Sequence, residues 1–97
     1  MYNTSQILSM LKTKKPEWET RYSISELGLF GSYARGNFNK KSDIDILVDF
    51  NARIDGFDYI RLAHELEDMF NFKIDLISRK GIKPGYLPFV EKNLIHV

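Results

Sequence analysis

A chain of 97 residues, 43% hydrophobic and 28% charged, has material for one core and no room for a core plus a separate substrate-recognition domain, so residues 1–97 read as one domain. A formal charge of +1 supplies no general attraction for nucleic acid, and direct nucleic-acid binding is not expected. The lack of cysteine excludes disulfides, thiolate zinc sites and cysteine nucleophiles, and with no leader-like start and no run near the roughly 20 apolar residues of a membrane span, the expected location is the cytoplasm.

Over residues 5–12, Ile7, Leu8 and Leu11 recur at helical spacing, with Thr4 or Ser5 available as the N-cap. Pro16 can open a further helical stretch, and Trp18 and Tyr22 lie four apart on one face, so the start of the chain reads as a helical pair or one bent helix. Residues 27–30 are a short apolar strand that stops at Gly31 in a tight turn, after which a helical turn begins. A polar loop over 36–42 leads to a second strand, 43–50, expected to pair with the first. Beyond a turn at 51–56, Phe57, Ile60, Ala63, Leu66, Met69 and Phe70 mark a helix reaching about Asn71. Trp18, Tyr22, Phe57 and Phe70 are the expected aromatic core. Residues 73–77 alternate as a third strand, with Ile74 and Leu76 on one side and Asp75 on the other. Gly81, Pro84, Gly85 and Pro88 then punctuate a basic, irregular segment before an apolar tail at 94–97.

The chemistry concentrates in two places. Asp43 and Asp45 stand two apart at the start of an apolar strand, so both carboxylates point to one face. Aspartate is a poor strand former, and parallel carboxylates suit Mg²⁺, a hard cation that keeps positions open for water and substrate phosphates. Asp75, flanked by Ile74 and Leu76, raises the same question on the next strand. Gly31 alone reads as a turn glycine. Followed by Ser32 at the start of a helical turn, it also offers backbone N–H groups and a hydroxyl to phosphate oxygens, and Arg35 can add charge there. Arg35 equally reads as a surface ion-pair residue. Asp49 shares the alternation but lies near the strand end and reads as solvated; His64 reads as surface, and Tyr33 receives no role.

Gly31-Ser32-Tyr33-Ala34-Arg35-Gly36, then Ser42-Asp43-Ile44-Asp45-Ile46-Leu47-Val48, then Lys73-Ile74-Asp75-Leu76-Ile77 together resemble the minimal nucleotidyltransferases (MNT proteins) of the DNA polymerase beta superfamily. The likeness covers nearly the whole chain, and the order and spacing of the three motifs are far more specific than any one of them. The resemblance implies an α+β fold, a small, mostly antiparallel or mixed sheet flanked by helices, like the polymerase beta palm. It further implies Asp43, Asp45 and Asp75 as catalytic acids holding two Mg²⁺ ions, and Gly31 and Ser32 in the turn that grips a nucleoside triphosphate. MNT proteins of this size resemble the antitoxin of a pair whose partner is a HEPN ribonuclease, and the implied activity is AMP transfer from ATP to a tyrosine of that toxin.

Two other readings compete: a binding module that masks its partner without catalysis, and nucleotidyl transfer to RNA or to a small-molecule hydroxyl. The near-neutral charge and the missing second domain weigh against the latter.

Overall fold

In the computed structural model, which describes residues 2–97, Asn3 rather than Thr4 or Ser5 caps the first helix. Its side chain accepts from the Gln6 N–H at 2.8 Å while the Gln6 side chain accepts from the Asn3 N–H at 2.8 Å, a reciprocal box that satisfies two otherwise orphaned donors. Helix α1 then runs unbroken over Thr4–Tyr22, with Pro16 inside it. Of the two forms open on sequence, one helix is the one that forms. Pro16 removes a single donor, and both it and Lys12, whose carbonyl loses its partner, are exposed.

Strand β1 (Ile24–Phe30) leads directly into helix α2 (Gly31–Arg35), and β2 (Ile44–Phe50) follows the polar loop. Helix α3 (Gly56–Phe70) and strand β3 (Ile74–Ser78) come next, then a 3₁₀ turn at Arg79–Gly81, helix α4 (Leu87–Glu91) and strand β4 (Ile95–His96). The sheet order is β3-β2-β1-β4. β1 is antiparallel to both β2 and β4, whereas β2 and β3 are parallel, the pairing that requires a crossover such as α3. The mixed sheet with flanking helices agrees with the α+β expectation. Within the segment expected to be irregular, Pro88 sits in the first turn of α4, where its missing N–H leaves no helical bond unmade. No described helix is long and apolar enough to cross a membrane.

Cross-strand register divides the sheet into two faces. Leu27 and Leu29 of β1 share one face with Ile44, Ile46 and Val48 of β2, and α1 and α3 cover it with Ile7, Leu11, Trp18, Leu62, Leu66 and Phe70. That is the main core. Phe57 does not belong to it: Phe57 is 78% and Ile60 53% exposed. The five-residue connection before α3 rotates the helix so that the 62-66-70 stripe, with Tyr59 and Met69 at its edge, meets the sheet instead. The Tyr59 hydroxyl ties that rotation down by donating to the Leu76 carbonyl at 2.7 Å.

The opposite face is half covered. Phe30, Leu47 and Val90 of α4 form a small second core, joined by Ile77, Ile82 and Leu94. Beside it, Arg79 grips Glu26 with two hydrogen bonds, 2.6 Å from Nε to Oε1 and 2.8 Å from Nη2 to Oε2, and reaches Glu91 of α4 at 3.0 Å. His96 of β4 lies 2.6 Å from the same Glu26. One carboxylate thus joins β1, the 3₁₀ turn and β4, and through Arg79 also α4. Asp49 is not simply solvated either: its carboxylate accepts from the Phe50 N–H at 2.9 Å and stands 3.7 Å from Lys80 Nζ.

Arg79 first, and then His96, hold Glu26 down to about 2 from an ordinary 4.5, against the upward push of burial. A carboxylate with a lowered folded-state pKa stabilises the fold fully above about 4.5, and that stabilisation drains away as pH falls toward about 2. Glu26→Gln is therefore expected to lower stability at neutral pH by about 1 kcal/mol after solvent screening. Urea unfolding across pH 2–7 should also show a shallower acid loss for the variant than for the wild type; parallel curves would mean that the Glu26–Arg79 pair contributes nothing.

Candidate functional site

Where β1 ends and β2 begins, the register sets Asp45 opposite Phe30 on one side and opposite Asp75 on the other. Phe30 is followed at once by Gly31, the first residue of α2. The backbone at Gly31 takes φ +73°, and a Cβ built there would overlap Asp45 Oδ2 and lie 2.9 Å from Asp45 Cγ. The conformation and the crowding each call for glycine. The strand pairing therefore brings together what lies 14 residues apart in sequence, the Gly31-Ser32 turn and the Asp45 carboxylate.

No side chain caps the N-terminus of α2, while Gly36, at φ +80°, closes its other end with its N–H donated to the Ser32 carbonyl. Ser32 is half-buried at the start of this turn. Tyr33 beneath it is fully buried, stacked on Phe38 with ring centroids 4.3 Å apart and edge-on to Phe72. Thr4 of α1 donates a hydrogen bond to the Tyr33 carbonyl. Tyr33, given no role on sequence, is the anchor that holds α2 against the main core. Its hydroxyl is buried without a hydrogen-bond partner, and burial pushes the phenol upward.

The three aspartates are not equivalent. Asp45 is half-buried, Asp75 exposed, and Asp43, just before β2, 37% exposed with Lys73 Nζ 3.4 Å away. Burial first, then the charges of Asp75 and Asp43, push Asp45 up to about 6 from 3.8, with Arg35 pulling the other way. The repulsion that Asp75 and Asp43 exert on Asp45 is of the kind that a bound cation relieves. Among the described residues no group of three His, Cys, Asp or Glu side chains already converges as a ligand cage. The chemistry nevertheless fits a hard divalent cation: all-oxygen donors, a half-buried central carboxylate under repulsion, and a glycine whose missing side chain makes room for that carboxylate.

Arg35, from the last turn of α2, is exposed, with its guanidinium 5.8 Å from the centre of the Phe89 ring. Period-two and helical spacing do not reveal three further residues: Lys73 beside Asp43, Phe89 beside Arg35, and Tyr86 against Phe89. Lys73 reaches Asp43 because the parallel pairing of β2 and β3 sets Ile44 beside Ile74, a pairing the sequence does not announce. Phe89 and Tyr86 arrive through the folding of the proline-punctuated segment onto Phe30 and Leu47. A cavity of about 410 Å³ lined by Phe50, Arg53, Ile54, Tyr59 and Lys80 lies at the other end of β2 and holds none of the candidate residues. The acids instead sit where β1 ends and β2 and β3 begin, with Asp75 exposed and Asp43 and Asp45 partly exposed.

Over residues 11–97 the chain matches the family model described as "Nucleotidyltransferase domain". It is 34% identical over 97 residues to the protein adenylyltransferase MntA of Thermococcus cleftensis, an alignment covering 100% of this chain and 98% of that protein. The fold aligns with a solved structure called a "putative minimal nucleotidyltransferase" at a TM-score of 0.83 and 25% identity, over 99% of this chain and 97% of the other. A structure of the tri-AMPylated Shewanella oneidensis HEPN toxin in complex with MNT antitoxin shares the fold at a TM-score of 0.62 and 22% identity, over 97% of this chain and 67% of that one.

Gly31 and Gly36 offer a matched comparison, since both have positive φ but only Gly31 faces an obstructing side chain. Gly36→Ala should cost about 1 kcal/mol, the strain of a left-handed residue alone. Gly31→Ala should cost more, because Asp45 must also move. Denaturant midpoints for the two variants measure the difference, and equal losses would remove the close approach of Asp45 as a constraint.

Proposed function

The chain belongs to the nucleotidyltransferase domain family, and from that premise we propose that it transfers AMP from ATP to a tyrosine hydroxyl of a HEPN-type partner protein, as an antitoxin silencing a toxin. The observation that carries this reading is the approach of Asp45 to Gly31 on one side and its pairing with Asp75 on the other. It sets the turn suited to a triphosphate beside acids suited to a divalent cation. Support for AMP as the transferred group comes from the adenylyltransferase relative. Support for a protein acceptor comes from the AMPylated HEPN toxin held by an MNT protein of the same fold.

In this reading Gly31 and Ser32 present backbone N–H groups and a hydroxyl to the phosphates, and Arg35 adds positive charge at the outer edge. Asp43, Asp45 and Asp75 are the residues that would hold Mg²⁺. When bound, it would neutralise the triphosphate and the departing pyrophosphate. Asp75, the most exposed of the three acids, takes the proton of the incoming hydroxyl. The hydroxyl oxygen bonds to the α-phosphorus, the bond from that phosphorus to the bridging oxygen breaks, and pyrophosphate leaves. Among the described residues, α1 and α3 cover the main core and α4 covers part of the second face. The partner would present its own tyrosine to the open end of the sheet.

Asp43→Asn, Asp45→Asn and Asp75→Asn should each reduce transfer by about 10²-fold or more, the scale for removing a group that acts on transition-state charge. Labelled ATP incubated with the chain and its cognate partner reads the loss directly. Equal labelling by wild type and variants would sink the catalytic reading. Variants that protect against the partner while transferring nothing would favour masking instead.

A further inference from the structure

Tyr86, just before α4, and Phe89 within it stand three residues apart, and both are large aromatic side chains left about half exposed, at 44% and 49%. Their centroids are 5.2 Å apart at an interplanar angle of 33°, so they form one continuous aromatic surface rather than two isolated side chains. The neighbouring Val90 is fully buried against Phe30 and Leu47, which fixes the helix on the acid-bearing face of the sheet. Phe30 is the residue paired with Asp45 and joined to Gly31. Arg35, at the far end of the turn that begins at Gly31, spans the gap: its guanidinium lies over Phe89, and its charge is felt by Asp45. Val90 is the one fully buried residue of α4, so the two rings stand outside the core that seats the helix.

We propose that Phe89 and Tyr86, flanked by Arg35, are the platform on which the base of the bound nucleotide stacks, a proposal that rests on the triphosphate being held at Gly31 and Ser32. The phosphate end and the base end of the ligand are then served by one short stretch of structure, α2 on one side and α4 on the other, joined through Arg35. A flat aromatic ligand with a polyanionic tail matches this surface, because the rings offer π-faces and the guanidinium offers charge to either part. Every base has a π-face, so the platform contributes affinity without choosing adenine. GTP should therefore depend on it as ATP does.

The test measures binding of ATP, GTP and inorganic tripolyphosphate to the full chain by calorimetry with Mg²⁺ present, for the wild type, Phe89→Ala and Phe89→Trp. Loss of one base–aromatic stack should weaken ATP and GTP about tenfold in Phe89→Ala, leave tripolyphosphate unchanged, and be restored by Phe89→Trp. Circular dichroism confirms that each variant is folded, and Tyr86→Ala repeats the measurement at the second ring should Phe89→Ala fail to fold. A wild type that binds ATP and tripolyphosphate, with Phe89→Ala and Tyr86→Ala binding ATP equally well, overturns the platform alone. Equal weakening of ATP and tripolyphosphate overturns it too, since the rings then serve the phosphates or the fold. A wild type that binds neither ligand removes the nucleotide site, and the platform with it.

Discussion

The contact between the Asp45 carboxylate and the backbone at Gly31 is the constraint from which the rest of the site follows. Antiparallel pairing puts Asp45 opposite Phe30, and the next residue must turn away into α2 while leaving room for a carboxylate. Only a residue without a Cβ does both, because φ is +73° and any side chain would enter the space of Asp45 Oδ2. Once that contact exists, the parallel partner of β2 brings Asp75 to the other side, and α2 carries Ser32 and Arg35 along the edge. The site is thus a product of sheet register, with loops contributing little beyond Asp43.

Two cores with different tasks hold this arrangement. The main core under α1 and α3 is built from leucine, isoleucine and aromatic side chains and fixes β1 and β2 against each other; Tyr33 drives α2 into it from the side. The smaller core of Phe30, Leu47 and Val90 closes part of the opposite face and stops short of the acids. Glu26, Arg79, Glu91 and His96 complete that closure with charge in place of volume. The acids are left at the uncovered end, where Asp45 bears the electrostatic cost of two neighbouring carboxylates in a half-buried position. A fold that tolerates such repulsion has given up stability at a place where a cation would restore it.

Much of this was legible before any coordinates, for a physical reason: period two is a strong signal when it breaks the hydrophobic rule. Asp43, Asp45 and Asp75 interrupt apolar strands at positions that face away from the core, and the glycine that ends the first strand marks where the chain turns. The pairing of the first two strands followed from the same pattern, while the mixed sheet was what the resemblance to minimal nucleotidyltransferases implied. What stayed hidden depends on distances in space. Phe57 and Ile60 keep helical spacing as faithfully as Leu62, Leu66 and Phe70 do, and which stripe faces inward depends on tertiary contacts such as the Tyr59 hydroxyl on the Leu76 carbonyl. Asn3 outcompetes Thr4 and Ser5 as the cap because Gln6 lies three residues on and answers it. The glycines and prolines of residues 81–88 concealed α4, whose one buried residue, Val90, is too little to show as a pattern. The contact of Lys73 with Asp43 and that of Phe89 with Arg35 follow from the parallel β2–β3 pairing and the return of α4, neither of which composition encodes.

The central claim is that Asp45 is held in a costly environment so that a cation and a nucleotide can be bound there. Thermal unfolding of the wild type and Asp45→Asn, each with and without Mg²⁺ and ATP, tests it most directly. The account predicts that Asp45→Asn melts higher than the wild type without ligands, because a half-buried charge and its repulsion by Asp75 and Asp43 are removed. It also predicts that Mg²⁺ with ATP raises the melting temperature of the wild type and leaves that of the variant unmoved. A variant that melts lower than the unliganded wild type, or that gains as much as the wild type from Mg²⁺ and ATP, would contradict it.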